Sequence, residues 1–151
     1  MIMSPPMMRI NFANAPTRRM SKSAAQARRA AAAGIAFVAL FAQAQEAPQP
    51  KLPTVTLTAG IHSIVAEVAS TPGQREIGMM MRTRMAPHEG MLFAFSAPQQ
   101  HCFWMRNTLL PLSIAFIDDN GSIVNVDEMK PRSDDSHCSA KPVRFVLEMN
   151  Q

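Results

Sequence analysis

The chain has 151 residues, a formal charge of +4 and a sequence pI of about 9.7. Six of its 15 basic residues and none of its 11 acidic residues lie in the first 44 positions, which leaves 107 residues with nine basic and eleven acidic side chains, a formal charge of −2. This remainder has no run of Lys and Arg that would favour nucleic acid as a partner, and its length suits one domain with a single core.

The first 44 residues have the composition of a bacterial export signal. A pair of arginines precedes an apolar run from Ala30 to Ala42, and Ala42-Gln43-Ala44 places small residues at the two positions that a signal peptidase reads. The apolar run has about 13 residues, fewer than the roughly 20 of a membrane-spanning helix. We therefore expect cleavage near Ala44 and a periplasmic or secreted protein without a stable membrane span. A translation start at Met20 would give the signal ordinary proportions.

Residues 45–53, rich in Pro and Gln, are predicted to be an extended linker before a single domain at residues 54–151. Two strands are predicted at the start of this domain, over Thr54–Thr58 and His62–Ala69. Thr71 is then followed by Pro at the first helical position and by Gln three residues on. This combination predicts a capped helix from Pro72 to about Met80.

The stretch from Gly90 to Ile117 contains the only Trp and four of the five Phe residues that follow the export signal, so we expect it to build the core. Asp118–Gly121 predicts a turn that joins a strand at Leu112–Ile117 to one at Ser122–Met129. Val143–Met149 is predicted to be the final strand. Six or seven strands and one short helix predict an all-β domain, either a compact β-sandwich or a small barrel.

Three blocks of this stretch resemble the hallmark blocks of the domain of unknown function 192 family: Gly90-Met91-Leu92-Phe93, Phe-Trp-Met-Arg-Asn-Thr at 103–108, and Pro111-Leu112 with the strand and turn that follow. The resemblance runs from about Ile61 to Glu148. It implies a small exported domain with a jelly-roll-like sandwich and no assigned activity. Family members generally continue past the final strand with a short helix, whereas this chain ends at Gln151, which favours a fragment or a missing C-terminal layer.

Cys102 and Cys138 are the only cysteines. Two thiols in an oxidising compartment favour a disulfide, but no spacing rule shows that these two meet, so the sequence leaves their pairing open. Because the chain has no Cys-x-x-Cys motif, we do not expect redox catalysis.

Two chemical functions remain as alternatives to binding. A copper(I) site would use thioether and imidazole ligands from the cluster Met79, Met80, Met81, Met85, His88 and Met91. Methionine more often fills irregular core space, and consecutive helical residues cannot face one ion. A glycan hydrolase would need a pair of carboxylates, for which Glu89 and Asp127 are the candidates. The sequence contains no nucleophile elbow and no phosphate-binding loop. Taken together with the packing role expected for the methionines, this leads us to expect no catalytic residue, no metal and no cofactor.

The most specific polar feature is Arg106-Asn107-Thr108, which follows Trp104 at the end of an apolar run, where rigid β scaffolds often display binding groups. Arg106 could bind a carboxylate or phosphate. Alternatively, Asn107 and Thr108 satisfy backbone groups while Trp104 anchors the core. We favour a non-enzymatic binding or interaction module of the cell envelope, with an unidentified ligand or protein partner and a site at Arg82, Glu89, Trp104, Arg106, Asn107 and Thr108.

Overall fold

The computed structural model describes residues 8–11 and 47–151, so the predicted export signal and its cleavage site at Ala44 lie outside the described residues. Within these ranges no helix is long and apolar enough to cross a membrane. The elements, in chain order, are β1 (Met8–Asn11), β2 (Thr54–Ala59), β3 (His62–Ala69), α1 (Pro72–Ile77), β4 (Glu89–Gln99), β5 (Cys102–Phe103), β6 (Leu112–Ile117), β7 (Ile123–Met129), β8 (His137–Cys138) and β9 (Val143–Asn150).

Seven strands form one mixed sheet in the order β1-β2-β3-β4-β9-β6-β7, and β5 pairs with β8 in a separate two-stranded sheet. Only the β3–β4 pair is parallel among the described strands. The all-β class with one short helix is confirmed. Of the two predicted architectures, the closed barrel is not formed by the strands within residues 8–11 and 47–151.

The start of α1 follows the predicted capping chemistry. The Thr71 hydroxyl accepts a hydrogen bond from Gln74 N, and the Gln74 side-chain oxygen accepts one from Thr71 N. The predicted end at Met80 is wrong, because the helix stops at Ile77. Gly78 follows with a φ of +49°, a conformation that glycine adopts readily and that ends the helix.

The β6–β7 hairpin is confirmed. Its turn is closed by Asp118, whose Oδ1 accepts hydrogen bonds from the backbone nitrogens of Asn120 and Ser122 at 2.9 Å each. Gly121 has a φ of +78° at this reversal. The turn brings Leu112 opposite Met129 at the far end of the hairpin.

Strand β9 lies at the centre of the large sheet, between β4 and β6. Its alternate side chains enter two apolar clusters, with Val146 in one and Leu147 in the other. The first cluster contains Met79, Met91, Phe93, Met105, Leu112, Ile114, Phe116 and Met129, among others. Because side chains in a strand alternate between faces, Glu148 lies on the same face as Val146 and therefore points toward this first cluster.

Residues 47–53, predicted as a linker, lie against the domain. Gln49 is buried, and its Nε2 donates to the carbonyl oxygen of Gly78 at 2.9 Å. Leu52 N donates to Glu67 Oε2 at 2.8 Å, and Pro53 O accepts from Val68 N. This segment therefore supports the turn that follows α1.

Gly90 allows β4 and β9 to approach closely. A Cβ atom at this position would lie 2.7 Å from the backbone oxygen of Glu148 and 3.1 Å from Met149 Cγ. We expect Gly90→Ala to lower the free energy of unfolding by about 1 to 3 kcal/mol. Gly73→Ala is the matched control, since its Cβ would meet nothing within 4 Å and alanine favours a helix. Equal denaturant midpoints for the two variants would contradict this expectation.

Candidate functional site

The predicted binding residues do not form one site. Arg82 and Glu89 line a cleft of about 650 Å³ together with Pro48, Lys51, Met81, Thr83, Arg84, Met85 and Ala86. Trp104 and Thr108 line a different cavity of about 350 Å³, which we call the Glu148 pocket. Its other lining residues are Arg75, Glu76, Ile77, Gly78, Met79, Met80, Phe93, Phe95, His101, Cys102, Phe103 and Glu148.

The charges around the larger cleft are largely paired within the protein. Arg82 Nη2 lies 2.9 Å from Glu67 Oε2, and Lys51 Nζ lies 3.6 Å from a carboxylate oxygen of both Glu67 and Glu89. Glu89 also accepts a hydrogen bond from Ala86 N at 3.0 Å, which lowers the pKa of its carboxyl below the usual value. These contacts give Arg82 and Glu89 a structural role in holding the 81–89 segment to β3.

The Glu148 pocket is built from the centre of the sheet outward. Strands β4 and β9 contribute Phe93, Phe95 and Glu148 to its floor. The end of α1 and the following turn supply one part of the wall, and the segment from β5 to Thr108 supplies another. Thr108 is itself buried, with 5% of its surface exposed.

Glu148 is the unusual residue of this pocket. It is only 4% exposed, and its neighbours across the sheet are Met91 on β4 and Ile114 on β6. Its carboxyl group makes no hydrogen bond or ion pair with any residue in the described part of the chain. Burial raises its pKa to about 8, because the charged form is poorly solvated in this apolar environment. The carboxyl group is therefore mostly protonated at pH 7.

Aromatic rings surround the pocket. Phe93 and Phe103 meet edge to face with their ring centroids 4.9 Å apart, and the His101 ring stacks on Phe95 at 3.5 Å. His101 Nε2 is buried without a hydrogen-bond partner among the described residues. Burial, assisted by the charge of Arg75, lowers the pKa of His101 below its usual value. The pocket thus combines apolar walls with the Glu148 carboxyl group and with one ring nitrogen of His101, Nε2, that has no hydrogen-bond partner among the described residues.

Trp104 and Arg106 lie at the surface. Trp104 is 49% exposed, so the alternative in which it anchors the core is wrong, and the buried residue of this segment is Met105. The Arg106 guanidinium lies 4.2 Å from the centre of the Trp104 ring, and its Nε donates to Asp134 Oδ1 at 2.8 Å. The Trp104 side chain therefore forms part of the pocket rim and carries a stacked cation.

Asn107 connects the two cavities. Its carbonyl oxygen accepts a hydrogen bond from Met81 N at 2.9 Å, and its Nδ2 lies 3.9 Å from Met80 Sδ. The next carbonyl oxygen, that of Thr108, accepts from Arg132 N. These backbone bonds fix the Asn107-Thr108 segment in place between the two cavities.

The two cysteines, whose pairing the sequence left open, form a disulfide that joins β5 to β8. Cys102 lines the pocket, so the bond fastens one of its walls. On the same side, Ser139 Oγ accepts a hydrogen bond from His101 N, and Ser139 N donates to His101 O. The residues around the disulfide thus hold the His101–Phe103 wall in place.

Glu89 and Asp127 are not arranged as a hydrolytic pair. The strand registers align one residue from each of β4, β9, β6 and β7 in a row: Met91, Glu148, Ile114 and Asp127. Three inter-strand spacings separate the ends of this row by about 14 Å, and Glu89 lies a further two residues along β4. Two-carboxylate glycosidases place these groups within roughly 9.5 Å. Asp127 instead contacts His137 Nδ1 at 2.6 Å.

The methionines proposed for copper are distributed over different environments. Met79 and Met91 are buried in the first core cluster, and Met85 packs against it. Met81 lines the larger cleft and Met80 the Glu148 pocket. In the described part of the chain, no group of three or more His, Cys, Asp and Glu could hold a metal ion. This distribution supports the interpretation that the methionines serve mainly in packing.

Residues 54–151 match the sequence model of the DUF192 family, described as "Uncharacterized ACR". A crystal structure of a candidate transcription regulator from Sinorhizobium meliloti 1021 is similar, with 42% identity, a TM-score of 0.58, and coverage of 59% of this chain and 70% of that one. A protein of unknown function from Novosphingobium aromaticivorans DSM 12444 is similar at 34% identity and a TM-score of 0.60, covering 64% and 71%. A comparison with curated proteins finds no match.

Sequence reasoning missed Glu148, the residue that distinguishes the pocket. Its strand is apolar on both faces, since Phe145, Leu147 and Met149 alternate with Val146. Such a pattern is typical of a central strand, and an acid within a central strand is buried. This signal was present in the sequence and could have identified the residue.

Proposed function

The chain belongs to the DUF192 family, and from the geometry of the Glu148 pocket we propose that it is a non-enzymatic binding domain of the cell envelope. Its ligand is a small molecule with an apolar body and at least one polar group. The apolar body lies against Phe93 and Phe103, and the polar group bonds with Glu148.

The observation that carries this proposal is the Glu148 carboxyl group, buried without a partner in the described chain at the floor of a cavity. Leaving a buried polar group without a hydrogen bond costs about 1 to 3 kcal/mol, so such groups call for an explanation. A ligand that bonds with the carboxyl group would recover part of this free energy. The volume, about 350 Å³, lies within the range of roughly 300 to 1,000 Å³ that is usual for small-molecule sites.

The envelope location is supported by the export signal predicted at residues 1–44 and by the disulfide between Cys102 and Cys138, a bond found mainly in oxidising compartments. The Sinorhizobium protein's description as a regulator of transcription would point to nucleic acid. The net charge of −2 on residues 45–151 does not favour that partner.

Fragment screening by NMR on the exported protein tests the proposal. We expect binding fragments to shift the amide signals of residues that line the Glu148 pocket, such as Phe103, Thr108 and Glu148. Shifts confined to the cleft around Arg82 and Glu89, or no fragment that reaches the Glu148 pocket, would contradict the proposal.

A matched pair of variants locates the binding site independently. Ile77 lies on the pocket wall and is 39% exposed, whereas Ile61 is 95% exposed and does not line the pocket. Ile77→Trp should narrow the cavity and weaken binding at least tenfold, a loss of about 1.4 kcal/mol. Ile61→Trp, which adds the same side chain elsewhere, should leave the dissociation constant unchanged. Equal affinities for the two variants would place the ligand outside the pocket.

A further inference from the structure

We infer that the ligand of the Glu148 pocket is an organic cation, a protonated amine on an apolar body whose ammonium group binds the Glu148 carboxylate. This rests on the proposed function, that the pocket holds a small molecule, and adds the charge of that molecule. Two features of the pocket support a cation over a neutral or anionic ligand, and a third determines how the binding of that cation depends on pH.

The first feature is the absence of a pairing cation on the protein side. Arg75 is the arginine that lines the pocket, and its Nη1 is occupied by the carbonyl oxygens of Ser70 and Ala94. Burial lowers the pKa of His101, which disfavours the cationic form of its ring. No described residue pairs with the carboxylate form of Glu148. An anionic ligand would therefore face a carboxylate whose negative charge is not paired with a cation of the protein. A cationic ligand would supply the missing partner.

The second feature is the aromatic lining. The faces of Phe and Trp rings attract cations through their negative π surfaces. The pocket already shows this attraction at its rim, because Arg75 lies 4.9 Å from the centre of the Phe95 ring and Arg106 lies 4.2 Å from that of Trp104. Phe103 lines the cavity itself and would offer a ring to an entering ammonium group.

The third feature is the proton on Glu148. Binding a protonated amine requires the carboxyl O–H bond to break, after which the carboxylate pairs with the ammonium group and the proton passes to solvent. Because burial raises the pKa of Glu148 to about 8, about nine-tenths of the sites carry this proton at pH 7. Amine affinity should therefore rise with pH, roughly 20-fold between pH 6.5 and 8.5.

Other ionisable groups near Glu148 leave this trend intact. The two neighbouring strands place Met91 and Ile114 beside it, neither of which titrates. The remaining charged groups are on the pocket wall or on the same face of the sheet. They are Arg75, Glu76, His101, Arg144 paired with Asp119, Glu67 paired with Arg82 and Lys51, Glu89 paired with Lys51, and Asp127 paired with His137. Burial lowers the pKa of His101, so its ring loses its proton at a lower pH than an ordinary histidine.

Two series of straight-chain probes, butylamine to octylamine and butanol to octanol, test the inference by calorimetry. The members of each matched pair have the same shape and differ in charge. We expect the best amine to bind the exported protein at least tenfold more tightly than the matching alcohol at pH 8. At pH 7 its binding should release close to one proton, as measured in buffers of different ionisation enthalpy.

Glu148→Gln and Ile77→Trp separate the possible outcomes. Glu148→Gln should remove the preference for amines and the pH trend while the alcohols still bind. If an alcohol binds as tightly as its amine and Ile77→Trp abolishes binding, the inference is wrong and the proposed function stands. If probes bind but Ile77→Trp has no effect, the proposed function is wrong as well. No binding by either series overturns the inference.

Discussion

The difference in stability between the Glu148→Gln variant and the wild type is expected to shift in favour of the variant as the pH rises from 4 to 7. Burial raises the pKa of this carboxyl group from 4.5 to about 8. The native state therefore keeps a proton that the unfolded state has lost across this interval. A raised acid pKa stabilises the native state fully below pH 4.5, and this contribution declines as the pH rises toward 8.

The expected size of this effect follows from the shift. A pH of 7 lies about 2.5 units above the pKa of this carboxyl group in the unfolded state. Through this group, the free energy of unfolding of the wild type is therefore roughly 3 kcal/mol lower at pH 7 than at pH 4. The amide of Gln does not titrate and does not lose this contribution. For a domain of this size, we expect the difference in Tm between variant and wild type to grow by about 10 °C or more from pH 4 to pH 7.

Calorimetric melting at pH 4, 5.5 and 7 measures this difference. Glu76→Gln is a suitable control, because Glu76 lines the same pocket but is exposed to solvent. Titration of the other carboxyl groups affects all three proteins alike and cancels in the comparison. If the difference in Tm between Glu148→Gln and the wild type stays constant with pH, Glu148 is ionised or paired in the native protein. The argument for a ligand at its carboxyl group would then fail.

The elements predicted correctly are those whose signals are local. The capping residues Thr71 and Gln74, the Asp118–Gly121 turn and the period-two strand at His62–Ala69 each specify structure within about ten residues of chain. The end of α1 was missed because Gly78, despite lying within a helical pattern of apolar residues, adopts positive φ and stops the helix. Propensity could therefore locate the helix but not its final turn.

The long-range features could not be predicted in the same way. The apolar pattern of Val143–Asn150 is typical of a central strand, but nothing in it specifies β4 and β6 as the neighbours of that strand. Nothing local specifies that β3 pairs with β4 in parallel. Such pairings depend on how distant segments share the core, for which a single sequence has no periodic signal. The same limit applies to the disulfide, because Cys138 lies in a two-residue strand within a polar, turn-rich segment.

For the same reason, the sequence did not show that the predicted site residues lie in two separate cavities. Arg82 and Glu89 looked available for ligand, yet Glu67 and Lys51 approach them from earlier in the chain and pair with them. Trp104 and Thr108 line the Glu148 pocket, and they were predicted as site residues because they end an apolar run, where side chains are displayed. The pocket they line depends on the central position of β9, so Glu148 could not be placed beside them without the sheet order.

Removing the disulfide is expected to lower the stability of the domain by a large amount. Cys102 and Cys138 are 36 residues apart in the chain, and closing a loop of this length restricts the unfolded chain by about 3 to 4 kcal/mol. Both cysteines are exposed, so replacing both by Ser buries no new polar group. The double variant should melt more than about 10 °C below the oxidised wild type. The wild type reduced by a phosphine should match the variant.

The loss of structure should begin at the pocket wall. Strands β5 and β8 have two residues each, too few to stay paired without support, whereas β9 lies at the centre of a seven-stranded sheet. Hydrogen exchange of the reduced protein should therefore quicken at Phe103 far more than at Leu147. A uniform loss of protection would show that the disulfide stabilises the whole domain equally. A local loss would make the Phe103 wall dependent on oxidation, so that the pocket is complete only where the disulfide can form.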